Sequence, residues 1–220
     1  MRDQYHEELD AISAQLAEMA HLVGSAMSRA STALLDADLA LAEGVIAADE
    51  VIDGLQRDLE ERALALIARQ QPVATDLRVI VTSLRMSADL ERMGDLARHV
   101  AKVARLRYPV SAVPVELRGT ITEMSQVAER IVEKAGSVIA SKDVTAALQL
   151  ERDDDEMDVL HRALFKALLA DTWAHGVEPA IDVTLVGRYY ERFADHAVSV
   201  ARRVVFLVTG ERAEAYVASH

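Results

Sequence analysis

The sequence predicts an all-α protein made of two tandem, similar three-helix bundles. Three observations support this. Apolar residues recur with the period of an α-helix along most of the chain. Only 9 Gly and 4 Pro occur in 220 residues, so turns are few. Acidic motifs recur after about 100 residues, which indicates an internal duplication.

Three helices are expected in the first half, at residues 3–35, 38–69 and 75–107. The second should end at Gln70-Gln71-Pro72, because proline disfavours helix in the residue before it. The segment from Tyr108 to Pro114 contains two prolines and is predicted to link the halves.

Three more helices are expected in the second half, at about 115–140, 143–174 and 179–210. The predicted organisation is a first bundle over 1–108, a second bundle over 115–212 and a short C-terminal tail over 213–220. One face of the third helix is apolar although it lies opposite the core stripe, and we expect the other half to cover it. That face carries Leu77, Val81, Leu84 and Ala88.

Two acidic motifs occur once in each half. Glu91-Arg92-x-x-Asp95 returns at 191–195, an offset of 100 residues, and Asp49-x-x-x-Asp53 returns at 154–158, an offset of 105. Carboxylates four residues apart lie on the same face of a helix. The expected result is two sets of four carboxylates, each from two neighbouring helices: Asp49, Asp53, Glu91 and Asp95 in the first, and Asp154, Asp158, Glu191 and Asp195 in the second.

Two interpretations of these sets remain open at this stage. The acids can form a solvated face with interleaved arginines, or they can converge to bind a metal, as carboxylates do in helical bundles. Glu91 and Asp95 lie about 100° and 140° from Leu90 around the helix, outside the core stripe, so open sites are expected. The register of the second set is also open, because Asp153-Asp154-Asp155-Glu156 is a continuous acidic run and Glu151 with Asp155 is an alternative pair.

Composition and motifs argue against several functions. The formal net charge of −12 makes nucleic acid an improbable partner and favours a basic protein surface or metal ions. The absence of cysteine fits a cytoplasmic protein. No apolar run reaches the ~20 residues that span a membrane. No catalytic triad, glycine-rich phosphate loop or Glu-x-x-His pair is recognised, so we expect no catalytic residues and no enzyme.

Four stretches carry a resemblance to a known family. They are Tyr5-His6-Glu7-Glu8-Leu9, the segment QQPVATDLR at 70–78, and the two Glu-Arg-x-x-Asp motifs. From about residue 5 to residue 210 the chain resembles PhoU, the bacterial accessory protein of the phosphate-specific transport system. The resemblance implies a cytoplasmic negative regulator of the phosphate-starvation response. It would link the ATPase subunit of the phosphate ABC transporter to the sensor histidine kinase, and it implies a homodimer.

The resemblance also implies bound metal, since some PhoU proteins carry multinuclear iron clusters on such motifs and others take other divalent ions. Carried over by position, the ligands would be the eight carboxylates of the two sets. All-oxygen ligands suit iron, manganese, magnesium or calcium, with zinc also acceptable. Two alternatives remain: a carboxylate-bridged metal enzyme or metal store, and a metal-free structural scaffold.

Overall fold

The computed structural model describes residues 2–219, and over this range the chain is helical without strands. Met1 and His220 lie outside the described residues, as do the side chains of residues 2–6, which include Tyr5 and His6 of the N-terminal motif. A 3₁₀ turn covers Val115–Leu117. The α-helices are α1 Arg2–Asp36, α2 Leu39–Gln70, α3 Thr75–Arg107, α4 Arg118–Ser141, α5 Val144–Asp153, α6 Asp155–Leu168, α7 Val177–Thr209 and α8 Ala213–Ser219.

Local sequence explains several helix ends. The Asp38 side chain accepts a hydrogen bond from Leu41 N at 2.9 Å and begins α2. Asp143 does the same for Ala146 N at 3.0 Å and begins α5. Both are N-caps that satisfy an otherwise unpaired backbone donor. At the far end of α7, Gly210 adopts φ 80°, a left-handed conformation that favours glycine at a helix C-terminus.

The predicted fifth helix is the clearest departure in secondary structure. It is interrupted at Asp154, between α5 and α6, and it ends at Leu168 instead of 174. Asp154 keeps helical dihedral angles of −70° and −25°, so the interruption is local. It falls within the acidic run, where poor helix formers and like charges crowd together. The sixth predicted helix begins at Val177, ahead of Pro179, because the first turn of a helix tolerates proline. The predicted tail contains α8.

The two halves share one continuous core. α1 packs against α3 and α4, and α3 packs against α7. α2 flanks α1 and α3, while α5 and α6 flank α7 and α4. Tyr190 and Phe193 are fully buried within this core. The predicted apolar interface between the halves is therefore confirmed, whereas the boundary of separable bundles stays a prediction.

The face of α3 predicted to form that interface is covered only at Leu84, which is half-buried and packs against the core. Leu77 and Val81 are 39% and 37% exposed, and Ala88 is exposed too. α3 instead meets α7 through positions that the sequence marks as polar: Asp89, His99 and Arg107 all contact α7 side chains. Periodicity places a residue on a helix face, but it does not say which face a second bundle will cover.

α3 and α7 run antiparallel. Arg78, near the start of α3, lies over the ring of Phe206 near the end of α7, 6.0 Å from its centroid. Arg107, at the end of α3, binds Asp182 near the start of α7. Under the 100-residue offset, equivalent residues of the two halves meet near the middle of this pair. The duplication thus gives an approximate twofold arrangement with the acidic motifs on both central helices.

Candidate metal centre: two duplicated carboxylate clusters

The structure brings each predicted set of four carboxylates together. The first cluster comprises Asp49 and Asp53 of α2 with Glu91 and Asp95 of α3, and the second comprises Asp154 and Asp158 at the α5–α6 junction with Glu191 and Asp195 of α7. In each cluster, the charges of the other members raise the pKa of at least one carboxyl group. The pairing of helices expected from the duplication is therefore present.

An arginine lies inside the first cluster. Nη1 of Arg98 lies 2.6 Å from Oδ2 of Asp49, and Nη2 donates to Oδ1 of Asp95. The contact with Asp49 is a charge contact without hydrogen-bond geometry. Arg98 therefore bridges a carboxylate of α2 and a carboxylate of α3. Arg92 adds a second, outer contact with Asp95, at 3.3 Å from Oδ2.

Burial and repulsion between carboxylates raise the pKa values of Glu91 and Asp49 in this cluster. Burial raises the pKa of Glu91, and the charges of Asp95, Asp53 and Asp49 raise it further, against the opposing charge of Arg92. Burial is also the main cause that raises the pKa of Asp49, and Arg98 opposes it. The cluster is thus a coupled group of four acids in which Arg98 bridges Asp49 and Asp95 and Arg92 acts on Glu91.

A glycine allows the two helices of the first cluster to approach. A Cβ at Gly94 would lie 3.3 Å from Oδ1 of Asp49 and 3.0 Å from Cδ1 of Ile52. Both contacts are tight for a real Cβ, so the missing side chain admits Asp49 against the α3 backbone. The equivalent position in the second half is Ala194.

The second cluster lacks a central cation. Burial raises the pKa of Asp154 to about 6, and the charges of Asp195, Asp158, Asp155 and Glu191 raise it further. The charge of Arg202 on α7, which binds Glu151, also interacts with Asp154. The position equivalent to Arg98 is Val198, a buried residue. Arginines do contact the outer members: Arg188 binds Glu191, and Arg162 lies 3.9 Å from Asp158.

The contacts within the acidic run bear on its register. Asp153 pairs with Lys134 of α4, on the far side of the helix from Asp195. Glu151 pairs with Arg202. Asp154 is the member that shares an environment with Asp158, Glu191 and Asp195. Both registers place an acid against α7, because Glu151 pairs with Arg202 of that helix and Asp154 shares the environment of Glu191 and Asp195. The register of the second set therefore stays a prediction.

Exposure differs between the clusters. The expectation of open sites fits Asp158, whose side chain is 51% exposed, and Asp195, which is also exposed. It does not fit Asp49, whose side chain is 4% exposed because α3 covers it at Gly94. The histidines near the clusters face elsewhere: His99 stacks on Tyr189 with 5.3 Å between ring centroids, and His196 binds Asp89.

The sequence matches the family model of the PhoU domain. The PhoU domain model matches residues 16–104 and again residues 121–204, one match in each half. The chain belongs to the PhoU family. The two matches coincide with the two three-helix repeats, so the duplication read from the acidic motifs is a property of the PhoU fold in this chain.

Named relatives extend the match over almost the whole chain. A protein of Mycobacterium tuberculosis, described as "Phosphate-specific transport system accessory protein PhoU homolog 2", is 53% identical over 210 residues, which is 96% of this chain and 99% of that protein. The PhoU homolog 1 of Mycobacterium leprae is 51% identical over 96% of this chain and 95% of its own length.

Solved PhoU structures share the fold. The crystal structure of PhoU from Pseudomonas aeruginosa superposes with a TM-score of 0.85 at 28% identity, covering 94% of this chain and 100% of that one. The phosphate transport system regulatory protein PhoU from Streptococcus pneumoniae gives 0.85 at 25% identity, with 94% and 98% covered. In this PhoU chain, none of the described helices is long and apolar enough to cross a membrane.

Neither PhoU cluster is a ready-made ligand set. Across the part of the chain that the structure describes, no three or more His, Cys, Asp or Glu side chains are arranged to hold a metal ion. The ligand assignments from the sequence therefore stay predictions. By donor chemistry the second cluster fits a hard divalent ion, because it offers four carboxylates, and among the described residues its direct arginine contacts are those of Arg188 with Glu191 and of Arg162 with Asp158.

Sequence reasoning missed Arg98. The solvated face with interleaved arginines was one of two open interpretations, and Arg98 was not singled out in either. Its spacing from Asp95, three residues along the helix, was the available signal, because an arginine there can bond back to the carboxylate. The contact with Asp49 could not be read from either helix alone.

Proposed function

We propose that this chain is an accessory, regulatory protein of a phosphate transport system. The observation that carries the proposal is the PhoU domain match in both halves, together with 53% identity over 96% of the chain to a PhoU accessory protein. The same level of identity covers 99% of that relative, so the likeness concerns a whole protein and not a shared fragment.

In finer terms, the protein acts in the cytoplasm as a negative regulator of the phosphate-starvation response. It contacts the ATPase subunit of the phosphate transporter and the sensor histidine kinase, and it communicates transporter activity to the kinase. An acidic chain of net charge −12 suits docking to basic protein surfaces and disfavours nucleic acid. The role is regulatory and requires no catalytic residues.

Deletion and complementation test the regulatory role. A strain without the gene, grown in high phosphate, should express phosphate-starvation genes, and the wild-type gene should restore repression. Unchanged expression after deletion would refute it. Binding of the purified protein to the ATPase subunit and to the kinase cytoplasmic domain should weaken as salt rises, since screening shortens the reach of surface charges. A salt-independent affinity would assign the contact to apolar surfaces.

We also propose a divalent metal ion at the second cluster. Asp154, Asp158, Glu191 and Asp195 would hold it, and iron, manganese, magnesium, calcium and zinc are the ions to test. The ion would neutralise mutually repelling carboxylates and so stabilise the folded state. Binding to the folded state alone adds about 2.7 kcal/mol at one hundred times Kd. Elemental analysis of protein purified without a histidine tag, and melting curves with EDTA or each ion, test this.

A homodimer completes the proposal. Light scattering coupled to size-exclusion chromatography, at several protein concentrations and with or without metal, gives the mass directly. A mass of one chain at every concentration would refute the dimer without affecting the regulatory role.

A further inference from the structure

The two carboxylate clusters differ in the residue that can bridge their helices, although the duplication made their acids equivalent. Arg98 lies inside the first cluster, whereas Val198 stands at the matching position of the second. The difference is internal to the chain, so each cluster is a natural control for the other.

Arg98 makes the contacts that a bridging cation would make. Its Nη1 lies 2.6 Å from Oδ2 of Asp49 on α2, and its Nη2 donates to Oδ1 of Asp95 on α3. The side chain is 28% exposed, and its partners are 4% and 16% exposed, so these charges are largely removed from water. A divalent ion in this place would bridge the same two carboxylates and would compete with the guanidinium for them.

Displacing Arg98 would be unfavourable. Arginine remains charged at every pH of interest, so it cannot give way by losing a proton. Its Nε is buried without a hydrogen-bond partner, and Asp49 and Asp95 are the carboxylates that bind its Nη atoms. Removing the partners of a largely buried charge leaves it uncompensated, which lowers metal affinity by on the order of a hundredfold or more.

We infer that Arg98 takes the place of the metal ion in the first cluster, so that this cluster stays free of divalent ions. The inference rests on the proposed metal function, because it concerns which of the two clusters performs it. The family resemblance implies metal on both motifs, and the residues of the first cluster do not fit that expectation. In the second cluster Val198 provides no charge. Arg188 pairs with Glu191 and Arg162 lies 3.9 Å from Asp158, but among the described residues no cation is in salt-bridge contact with Asp154 or Asp195.

Manganese binding to the metal-free protein, measured by calorimetry and by the loss of the free-ion electron paramagnetic resonance signal, tests the inference. In otherwise wild-type protein, the double substitution Glu91→Gln with Asp95→Asn should leave the manganese bound per chain unchanged. The matched pair Glu191→Gln with Asp195→Asn should abolish it. If the first pair lowers the bound manganese, the first cluster binds metal and the inference is wrong.

Arg98→Met gives the converse test, because methionine keeps the packing of the side-chain stem and removes the charge. It should open the first cluster and raise the bound manganese about twofold, since both clusters then offer four carboxylates. Arg98→Lys keeps a positive charge and should bind as wild type. Circular dichroism verifies folding. If Arg98→Met does not fold, the comparison of the two carboxylate pairs decides.

The two proposals can fail separately. Wild-type protein that binds no manganese, with binding created by Arg98→Met, would refute metal at the second cluster and support the exclusion by Arg98. Binding by neither protein would refute both. Wild-type binding that Arg98→Met leaves unchanged would refute the exclusion and keep the second site.

Discussion

Asp89 provides the sharpest test of what joins the two halves. It is 8% exposed and accepts hydrogen bonds from three α7 side chains: His196 Nδ1 at 3.1 Å, Ser199 Oγ at 3.1 Å and Arg203 Nε at 2.6 Å. Burial raises the pKa of Asp89, but the hydrogen bonds from His196 and Arg203 outweigh it, and the pKa lies below the ordinary 3.8. The ionised carboxylate is therefore the form that stabilises the interface.

Asp89→Asn removes this charge at nearly constant shape. Removing one partner of a buried pair costs about 3–5 kcal/mol, and the Arg203 side chain is 29% exposed, so water compensates part of the loss. We expect a decrease of about 2–3 kcal/mol in the free energy of unfolding, and a melting temperature about 4–10 °C lower. Urea unfolding followed by circular dichroism measures it.

The control is an exposed ion pair on α2. Arg57 and Glu50 lie 2.7 Å apart with side chains 59% and 74% exposed, so Glu50→Gln should cost less than about 0.5 kcal/mol. A double-mutant cycle of Asp89→Asn with Arg203→Met should show strong non-additivity. If Asp89→Asn costs no more than Glu50→Gln, or if the cycle is additive, the interface does not depend on this charge.

The pH dependence has a definite sign. A carboxyl group whose pKa is lowered in the folded state contributes stability that is present above its unfolded pKa and is lost as pH falls through the folded pKa. The stability difference between wild type and Asp89→Asn should therefore be constant near neutrality and should shrink below about pH 4.

Three further outcomes are expected. Burial raises the pKa of Asp154 to about 6, so in EDTA the free energy of unfolding should increase as the pH falls from 7 towards 4. Asp154→Asn should remove that increase and should stabilise the metal-free protein at pH 7 by about 1 kcal/mol after allowance for solvent screening. Urea unfolding at both pH values measures both effects. Tyr190→Phe removes the hydroxyl that bonds Ser31 in the core and should cost about 1 kcal/mol, and a neutral result by calorimetry would contradict this. Gly94→Ala places a Cβ 3.0 Å from Ile52 Cδ1 and should cost about 1–3 kcal/mol in urea unfolding. The converse change Ala194→Gly should cost about 2 kcal/mol, through lower helix propensity and the loss of a buried methyl group.

Much of the architecture was predictable from the sequence because the start, end and apolar face of a helix depend mainly on residues close together in the sequence. The stripe of apolar residues and the turn signals placed α3 at 75–107, as found, and the other long helices close to their ends. The acids converged because their spacing puts them on one face and a short turn makes neighbouring helices antiparallel. The interruption at Asp154 was missed, since it arises from crowding of charges that periodicity does not measure.

The unpredicted features all depend on which residues stand opposite each other across helices. Asp89 was not singled out, because nothing on α3 shows that Arg203 will face it. The contact of Arg98 with Asp49 was not predicted, because it depends on how α2 packs against α3. Leu77 and Val81 form part of an apolar face of α3, but they are exposed because the partner helix packs against another face.

The antiparallel pairing of α3 with α7 makes the two repeats no longer interchangeable. Where α3 and α7 pack against each other, the residues of each repeat contact the other repeat and not their own. The two copies could therefore acquire different, complementary residues at this interface. Asp89 faces His196 and Arg203, whose counterparts in the first repeat are Leu96 and Val103. A chain built from two first repeats would therefore place Leu96, His99 and Val103 opposite each of two buried aspartates, without an arginine for either. Because both repeats lie in one polypeptide, a first repeat always packs against a second repeat. The contacts of Asp89 disfavour packing of two identical repeats.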